Sequence, residues 1–175
     1  MLQIKPATLE HLPEITAIFA HHVLNGTGSF HISPPSLREM ENKWRELQEL
    51  DHPWLVALEI SSQKVLGFCY ASDFRKKEAF KNTLEDTIYV HPHERQKGIG
   101  KALLTALVAQ CKALGYAQLV AVIGDSRNES SIALHRNLGF EHSGLLRGVG
   151  HKHGQWLDIV FMQLALKRPE PTQPL

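Results

Sequence analysis

One stretch gathers the residue types that do chemistry. Glu85 and Asp86 open a β-rich run, Thr87-Ile88-Tyr89-Val90, that stops at His91-Pro92. The basic, glycine-bearing loop Arg95-Gln96-Lys97-Gly98-Ile99-Gly100-Lys101 then leads into a long apolar-periodic segment. Strand, loop and helix N-terminus in that order make an anion cradle. Backbone N–H groups converge there, glycines let a ligand come close, and the helix dipole favours negative charge. The loop lacks the Gly-x-x-x-x-Gly-Lys-Ser/Thr spacing of a Walker loop and the Gly-x-Gly-x-x-Gly of a dinucleotide fingerprint. The expectation is a phosphate-bearing ligand held by another arrangement.

The elements that must position these residues follow from periodicity and turn chemistry. Gln3-Ile4-Lys5 is a short edge strand ended by Pro6, and a helix begins between Thr8 and Pro13, because proline fits only a first turn. Leu12, Ile15, Ile18 and Phe19 are spaced for one buried face, and Asn25-Gly26-Thr27-Gly28-Ser29 breaks that helix. Ser36-Leu37-Arg38-Glu39 reads as the capping box of a second helix, which Asp51-His52-Pro53 ends. Residues 54–60 and 65–71 form a strand pair around a polar turn. A basic loop with an aromatic near each end, Phe74-Arg75-Lys76-Lys77-Glu78-Ala79-Phe80-Lys81, delivers the chain into a central strand over 84–90. Behind the cradle, Ile99, Leu103, Leu107, Cys111 and Leu114 share one helical stripe, closed by Gly115 at its C′ position. A buried strand over 117–123, a short helix over 130–138 and a strand from 140 toward 149 follow. The glycine-rich turn 150–154 then precedes a last strand over 156–166. The order is β-α-α-β-β-β-α-β-α-β-β, an α/β (α+β) domain with a mixed sheet and helices on both faces.

Composition narrows the function classes. A chain of 175 residues with 43% apolar and 21% charged residues fits one globular domain over residues 1–166. Residues 167–175 hold three prolines without apolar periodicity and are expected to be a disordered tail. A formal net charge of +1 gives no global field to recruit nucleic acid or a membrane. No signal peptide and no membrane-length apolar run are present, so a cytoplasmic protein is expected. Cys69 and Cys111 lie in apolar periodic segments and read as core thiols. His21-His22 and His151-x-His153 lack a third partner at metal spacing, so no metal is expected.

Arg95-x-x-Gly98-x-Gly100, followed by Asn128-x-x-Ser131-x-x-Leu134-His135-x-x-Leu138-Gly139-Phe140, resembles the GCN5-related N-acetyltransferases (GNAT). The likeness covers residues 3–166. Phe74-Arg75, Ala79-Phe80, Thr83-x-Glu85, Ile88-Tyr89-Val90, Leu134-His135 and Gly150-x-Lys152-x-Gly154-x-Trp156-x-Asp158 resemble, more narrowly, the phosphinothricin acetyltransferase group. That group includes bacterial enzymes that acetylate the α-amine of methionine sulfone and methionine sulfoximine, a detoxification. The resemblance implies the GNAT fold, with a mixed central sheet that splays at the fourth strand, after Val90. Lys76-Lys77 and Phe80 depart from the group's usual residues, in the expected substrate loop.

The resemblance implies acetyl-CoA as co-substrate and gives each residue a task. The pyrophosphate falls to Arg95, Gln96, Lys97, Gly98, Ile99, Gly100 and Lys101. The pantetheine arm is expected to pair with the strand at Ile88, Tyr89 and Val90, with the Val90 N–H as an oxyanion-type donor. Asn128 and Ser131 are expected beside the arm, with helix N-capping as the other role of Asn128. An α-ammonium must lose a proton before it attacks, and Glu85 is the candidate base, directly or through a water; a salt bridge that only positions the ammonium is its other reading. His135 is the candidate acid for the leaving thiolate, against a packed helix residue. Arg75 is the expected partner of the substrate carboxylate, with Lys76 and Lys77 beside it. Phe30, Phe74 and Phe80 are expected to wall the pocket, with Glu85, Asp86 and Thr87 lining it; alternation along the strand turns Asp86 to the opposite face from Glu85, so it ranks below Glu85 as a base. A homodimer through the C-terminal strands is implied as well. Two alternatives remain at this stage: another amine as acceptor, such as a protein N-terminus or a polyamine, and a non-catalytic acyl-CoA-binding module.

Overall fold

The computed structural model describes residues 1–167; the expected tail falls outside the described residues, apart from Lys167. Seven strands form one sheet: β1 (Leu2–Pro6), β2 (Trp54–Glu59), β3 (Val65–Asp73), β4 (Thr83–Val90), β5 (Gln118–Gly124), β6 (Glu141–Lys152) and β7 (Gln155–Ala165), in the order β1-β2-β3-β4-β5-β7-β6. Neighbours are antiparallel except β4 and β5, which run parallel. Four helices connect them: α1 (Leu12–Asn25), α2 (Leu37–Glu49), α3 (Ile99–Ala113) and α4 (Glu129–Asn137).

Strand alternation divides the core in two. Trp54, Val56, Leu58 and Phe68 face α1 and α2 and pack with Leu12, Ile15, Phe19 and Leu47. Leu55, Ala57, Cys69 and Leu84 face the other way, onto Leu103, Leu104 and Leu107 of α3. Both cysteines are free and buried. The capping box forms as expected: Ser36 Oγ accepts from Glu39 N–H at 3.3 Å, and Glu39 accepts from Ser36 N–H at 2.7 Å.

Two boundaries differ from expectation. The last hairpin turns on two residues, His153 and Gly154, with φ of 50° and 73°. A two-residue turn with both φ values positive matches strand twist, so Gly150, His151 and Lys152 extend β6 instead of forming a loop. The splay also begins earlier. Parallel pairing of β4 with β5 covers only Thr83–Gln118 to Asp86–Ala121. The strands part from Thr87 onward, not after Val90.

Candidate active site

A cleft of about 890 Å³ fills the gap where β4 leaves β5. Of the residues expected around a cofactor, Ile88, Tyr89, Val90, Arg95, Gln96, Gly98, Ile99, Gly100, Lys101, Asn128 and Ser131 line it. Lys97 does not: its ammonium turns to Glu94 at 2.7 Å. The cradle has the backbone it needs. Gln96 and Gly98 have positive φ, 62° and 77°, which aims successive N–H groups toward one side. A Cβ at Gly98 would touch nothing within 4 Å, so this turn of the loop faces open space. The first N–H groups of α3 behind it have no intrahelical partner by helix geometry.

Main-chain direction sets what the cleft edge offers. His91 N–H donates to the Leu66 carbonyl at 2.8 Å, toward β3. Ile88 and Val90 therefore present their main-chain groups the other way, into the cleft. On the far side Asn128 Oδ1 accepts from the Ser131 N–H at 3.3 Å, the helix cap, while its amide donates to the Gly124 carbonyl at 3.4 Å. Asp125, gripped by Arg127 at 2.6 Å, stiffens this loop, and the Arg127 guanidinium holds its carboxyl below the usual range.

Glu85 lies on the opposite face of β4 from Leu84 and Asp86, half-buried. Thr87, two residues on along this face, lines the cleft. Thr83, two residues back, lines a second recess of about 340 Å³ with Phe74, Phe80, Val120 and Phe161. Val120 is also the cross-strand partner of Glu85. On β4, Glu85 thus sits between Thr83, which lines the recess, and Thr87, which lines the cleft. Burial pushes Glu85 up, the Asp86 charge pushes it further, and Arg75 and Lys43 pull part of the way back, leaving it at about 7.

Three expected placements differ, those of Asp86, His135 and Phe30, and Arg75 is engaged locally. Asp86 borders the cleft from the face opposite Glu85, and its Oδ2 meets His135 Nε2 at 3.0 Å, with both side chains 2% exposed. His135 Nδ1 meets the Ser131 carbonyl at 2.7 Å. Both ring nitrogens are thus engaged, so His135 has none free to protonate a leaving thiolate. Burial alone would lower its pKa, but the Asp86 charge and the two acceptors outweigh it and hold it up. Asp86 Oδ1 lines up with no partner among the described residues. Arg75 spends itself locally, donating to the Phe74 carbonyl at 2.7 Å and stacking 4.2 Å over the Phe74 ring. Lys76 and Lys77 are exposed beside it. Phe30 lies against Gly150 on the last hairpin, away from Phe74 and Phe80, which meet edge-on with ring centroids 6.0 Å apart.

Sequence reasoning missed a strap. Residues 26–29 cross the end of β5, so close that a Cβ at Gly124 would sit 2.8 Å from the Thr27 carbonyl oxygen. Thr27 Oγ1 donates to Asp125 at 3.2 Å, and Lys152 Nζ, 3% exposed, donates to the Ser29 carbonyl at 2.8 Å. His22 reaches the Val90 carbonyl at 2.8 Å. Only the Gly-rich break after α1 hinted at this; the strap's hydrogen-bond partners lie 98 and 123 residues away. Among the described residues no group of three His, Cys, Asp or Glu side chains is placed to hold a metal ion, and no helix is long and apolar enough to cross a membrane.

Comparison with known proteins agrees with this geometry. The chain is 41% identical over 165 residues to a phosphinothricin N-acetyltransferase of Alcaligenes faecalis, covering 94% of this chain and 83% of that protein. It is 39% identical over 170 residues to an L-methionine sulfoximine/L-methionine sulfone acetyltransferase of Pseudomonas aeruginosa, covering 97% and 96%. Its fold superposes with a TM-score of 0.93 and 44% identity on a GNAT superfamily phosphinothricin acetyltransferase of Sinorhizobium meliloti, solved in complex with AcCoA, covering 99% and 93%. Residues 17–140 match the Acetyltransferase (GNAT) family. With that match, two relatives near 40% identity and a cleft opened by the parting of β4 and β5, the chain belongs to the GNAT family of acetyltransferases.

Proposed function

We propose that the chain moves acetyl from acetyl-CoA to the α-amine of a small amino acid whose side chain ends in a tetrahedral or oxidised group: phosphinothricin, methionine sulfoximine or methionine sulfone. One observation carries this reading. Glu85 stands on β4 between a recess sized for an amino-acid side chain and the cleft that fits a phosphate-bearing arm. The activities named for the relatives support the acceptor class, and the AcCoA of the Sinorhizobium complex supports the donor.

When bound, acetyl-CoA supplies an acyl group activated by a good leaving thiol. The chain supplies the rest. The N–H groups at the head of α3, with Arg95, hold the phosphates. The cleft-facing Val90 N–H donates toward negative charge developing on the acyl oxygen. Glu85 takes the proton of the acceptor amine, directly or through one water, because a carboxyl at about 7 is part-ionised when the amine is delivered; as the C–S bond breaks, that proton passes through solvent to the departing thiolate and Glu85 is ionised again. Arg75, released from Phe74, pairs with the substrate carboxylate, and Lys77 assists. His135 and Asp86 hold each other at the apex of the cleft and keep its floor rigid; this replaces direct proton donation by His135. We place the working unit as a homodimer, since the last hairpin exposes Leu146, Val149 and Trp156 at 47%, 53% and 70%.

Other acceptors are disfavoured by charge. A polyamine needs acidic walls, and the loop over the recess is Arg75-Lys76-Lys77. The test is release of free thiol from acetyl-CoA across a panel: phosphinothricin, amino acids with their sulfone and sulfoximine analogues, a polyamine and a peptide. Turnover confined to the polyamine or peptide overturns the acceptor class. CoA binding by titration calorimetry, with no turnover on any amine, makes the chain a binding module instead.

A further inference from the structure

We infer that His22 is a positioning residue for the cofactor's arm: by taking the Val90 carbonyl it fixes which backbone groups of β4 the arm can pair with. The inference deepens the reading that the cleft holds acetyl-CoA and rests on it. Beyond Asp86 the cleft edge of β4 has no β5 partner. Ile88 and Val90 would each offer an N–H and a C=O there, two equivalent registers for an extended chain, a slip of about 6.8 Å apart. His22, in the last turn of α1, removes that equivalence. Its Nε2 lies 2.8 Å from the Val90 oxygen, which can only accept, so Nε2 carries the proton and donates.

The ring is held for this task. It packs against Tyr89 at 5.1 Å and borders the cleft. Burial lowers its pKa; the bond to Val90 offsets part of this, while Arg95, His21 and His91 oppose its charge further. A neutral ring with its proton on Nε2 is the resulting state near pH 7. The edge then offers two donors and one acceptor, the Ile88 carbonyl. An arm bearing amide N–H groups finds one carbonyl, and its reactive end arrives at one height along the strand that carries Glu85. Without His22 the arm gains the Val90 carbonyl and a second register, in which the acetyl group misses its place.

His22→Phe keeps the packing and removes the donor, whereas His22→Gln keeps an N–H donor of similar reach. CoA affinity is read by titration calorimetry, and kcat and KM by thiol release. For His22→Phe the Kd for CoA stays within about twofold of the parent or tightens, while kcat falls about tenfold through misplacement of the reacting group; His22→Gln stays within about threefold of the parent kcat. Unchanged kcat in His22→Phe overturns the inference. So does a weaker Kd at unchanged kcat, which marks a plain contact. If His22→Phe does not fold, loss of kcat beyond about tenfold in a folded His22→Gln overturns it. A parent chain that binds no CoA overturns the cofactor reading and takes this inference with it.

Discussion

Replacing Glu85 with glutamine removes a proton acceptor while keeping the shape of the site, so it isolates the acid–base step. With the carboxyl at about 7, close to half of the molecules carry the working base at neutral pH. The parent's kcat/KM therefore rises with pH and bends near 7. In Glu85→Gln that limb disappears, leaving only the titration of the substrate amine, near about 8. General-base help is worth about 10²–10⁴ in rate, or ~2.7–5.4 kcal/mol at ~1.36 kcal/mol per decade. Partial exposure of Glu85 places the loss at the low end, about 100-fold at pH 7. Between pH 7 and 9 the neutral fraction of the amine grows about tenfold, so roughly tenfold of the loss returns. Stability moves the opposite way. The folded pKa lies above the ordinary 4.5, so the folded state binds the extra proton; the stability this gives is full below 4.5 and is lost as pH rises through about 7. Glutamine has no charge to bury, and after discounting for screening Glu85→Gln gains about 1–3 kcal/mol at pH 8. Thiol-release rates from pH 6 to 9.5 and thermal melts at pH 8 read both. A Glu85→Gln enzyme within about threefold of the parent at pH 7, with the bend near 7 intact, refutes Glu85 as the base.

Three further outcomes are expected. Asp86→Asn leaves His135 buried without its countercharge and costs about 3–5 kcal/mol in urea melts at pH 6. Because His135 is held above its ordinary 6.5, the pair's contribution is full below 6.5 and fades as pH rises through the folded value, so the cost of Asp86→Asn shrinks in melts at higher pH. Burial pushes Cys111 up to about 12 and Cys69 well above its usual range, so the native chain gives no titre with a disulfide thiol reagent and the thiol assay reads product alone. Gly124→Ala drives a methyl into the Thr27 carbonyl, costs about 1–3 kcal/mol and weakens CoA binding, because the strap must lift off the end of β5.

What could be read in the sequence was what local chemistry dictates. The Ser36–Glu39 box, the αL glycine at Gly115 and the proline inside the first turn of α1 are short-range events, and each formed as expected. The loop and helix N-terminus of the proposed cradle were legible for the same reason, since they are neighbours in sequence. Alternation correctly turned Asp86 away from Glu85, but alternation cannot say what Asp86 meets there. His135 lies 49 residues further along, and only the packing of α4 over the sheet joins them. The start of the splay was likewise hidden, because it is set by where β5 stops following β4 and not by any residue of β4.

In the proposed function, the early parting of the two strands lets one strand serve both substrates. Had β5 followed β4 to Val90, the main-chain groups of Ile88 and Val90 would be spent on the sheet. Parting at Thr87 releases them while Thr83 to Asp86 remain tied in four rungs. In that proposal the tied half carries Glu85 toward the acceptor recess, and the released half lends its backbone to the donor. Period-two alternation then keeps the two acids apart. Glu85, at about 7, can exchange protons on one face, while Asp86 is locked to His135 on the other. Asp86 still acts across the strand, as the second cause holding Glu85 high, so its charge tunes a base that it never touches. Removing that charge lowers the Glu85 pKa, and a folded Asp86→Asn enzyme should show the acidic bend of kcat/KM shifted below 7. A bend that stays at about 7 would leave burial alone as the cause.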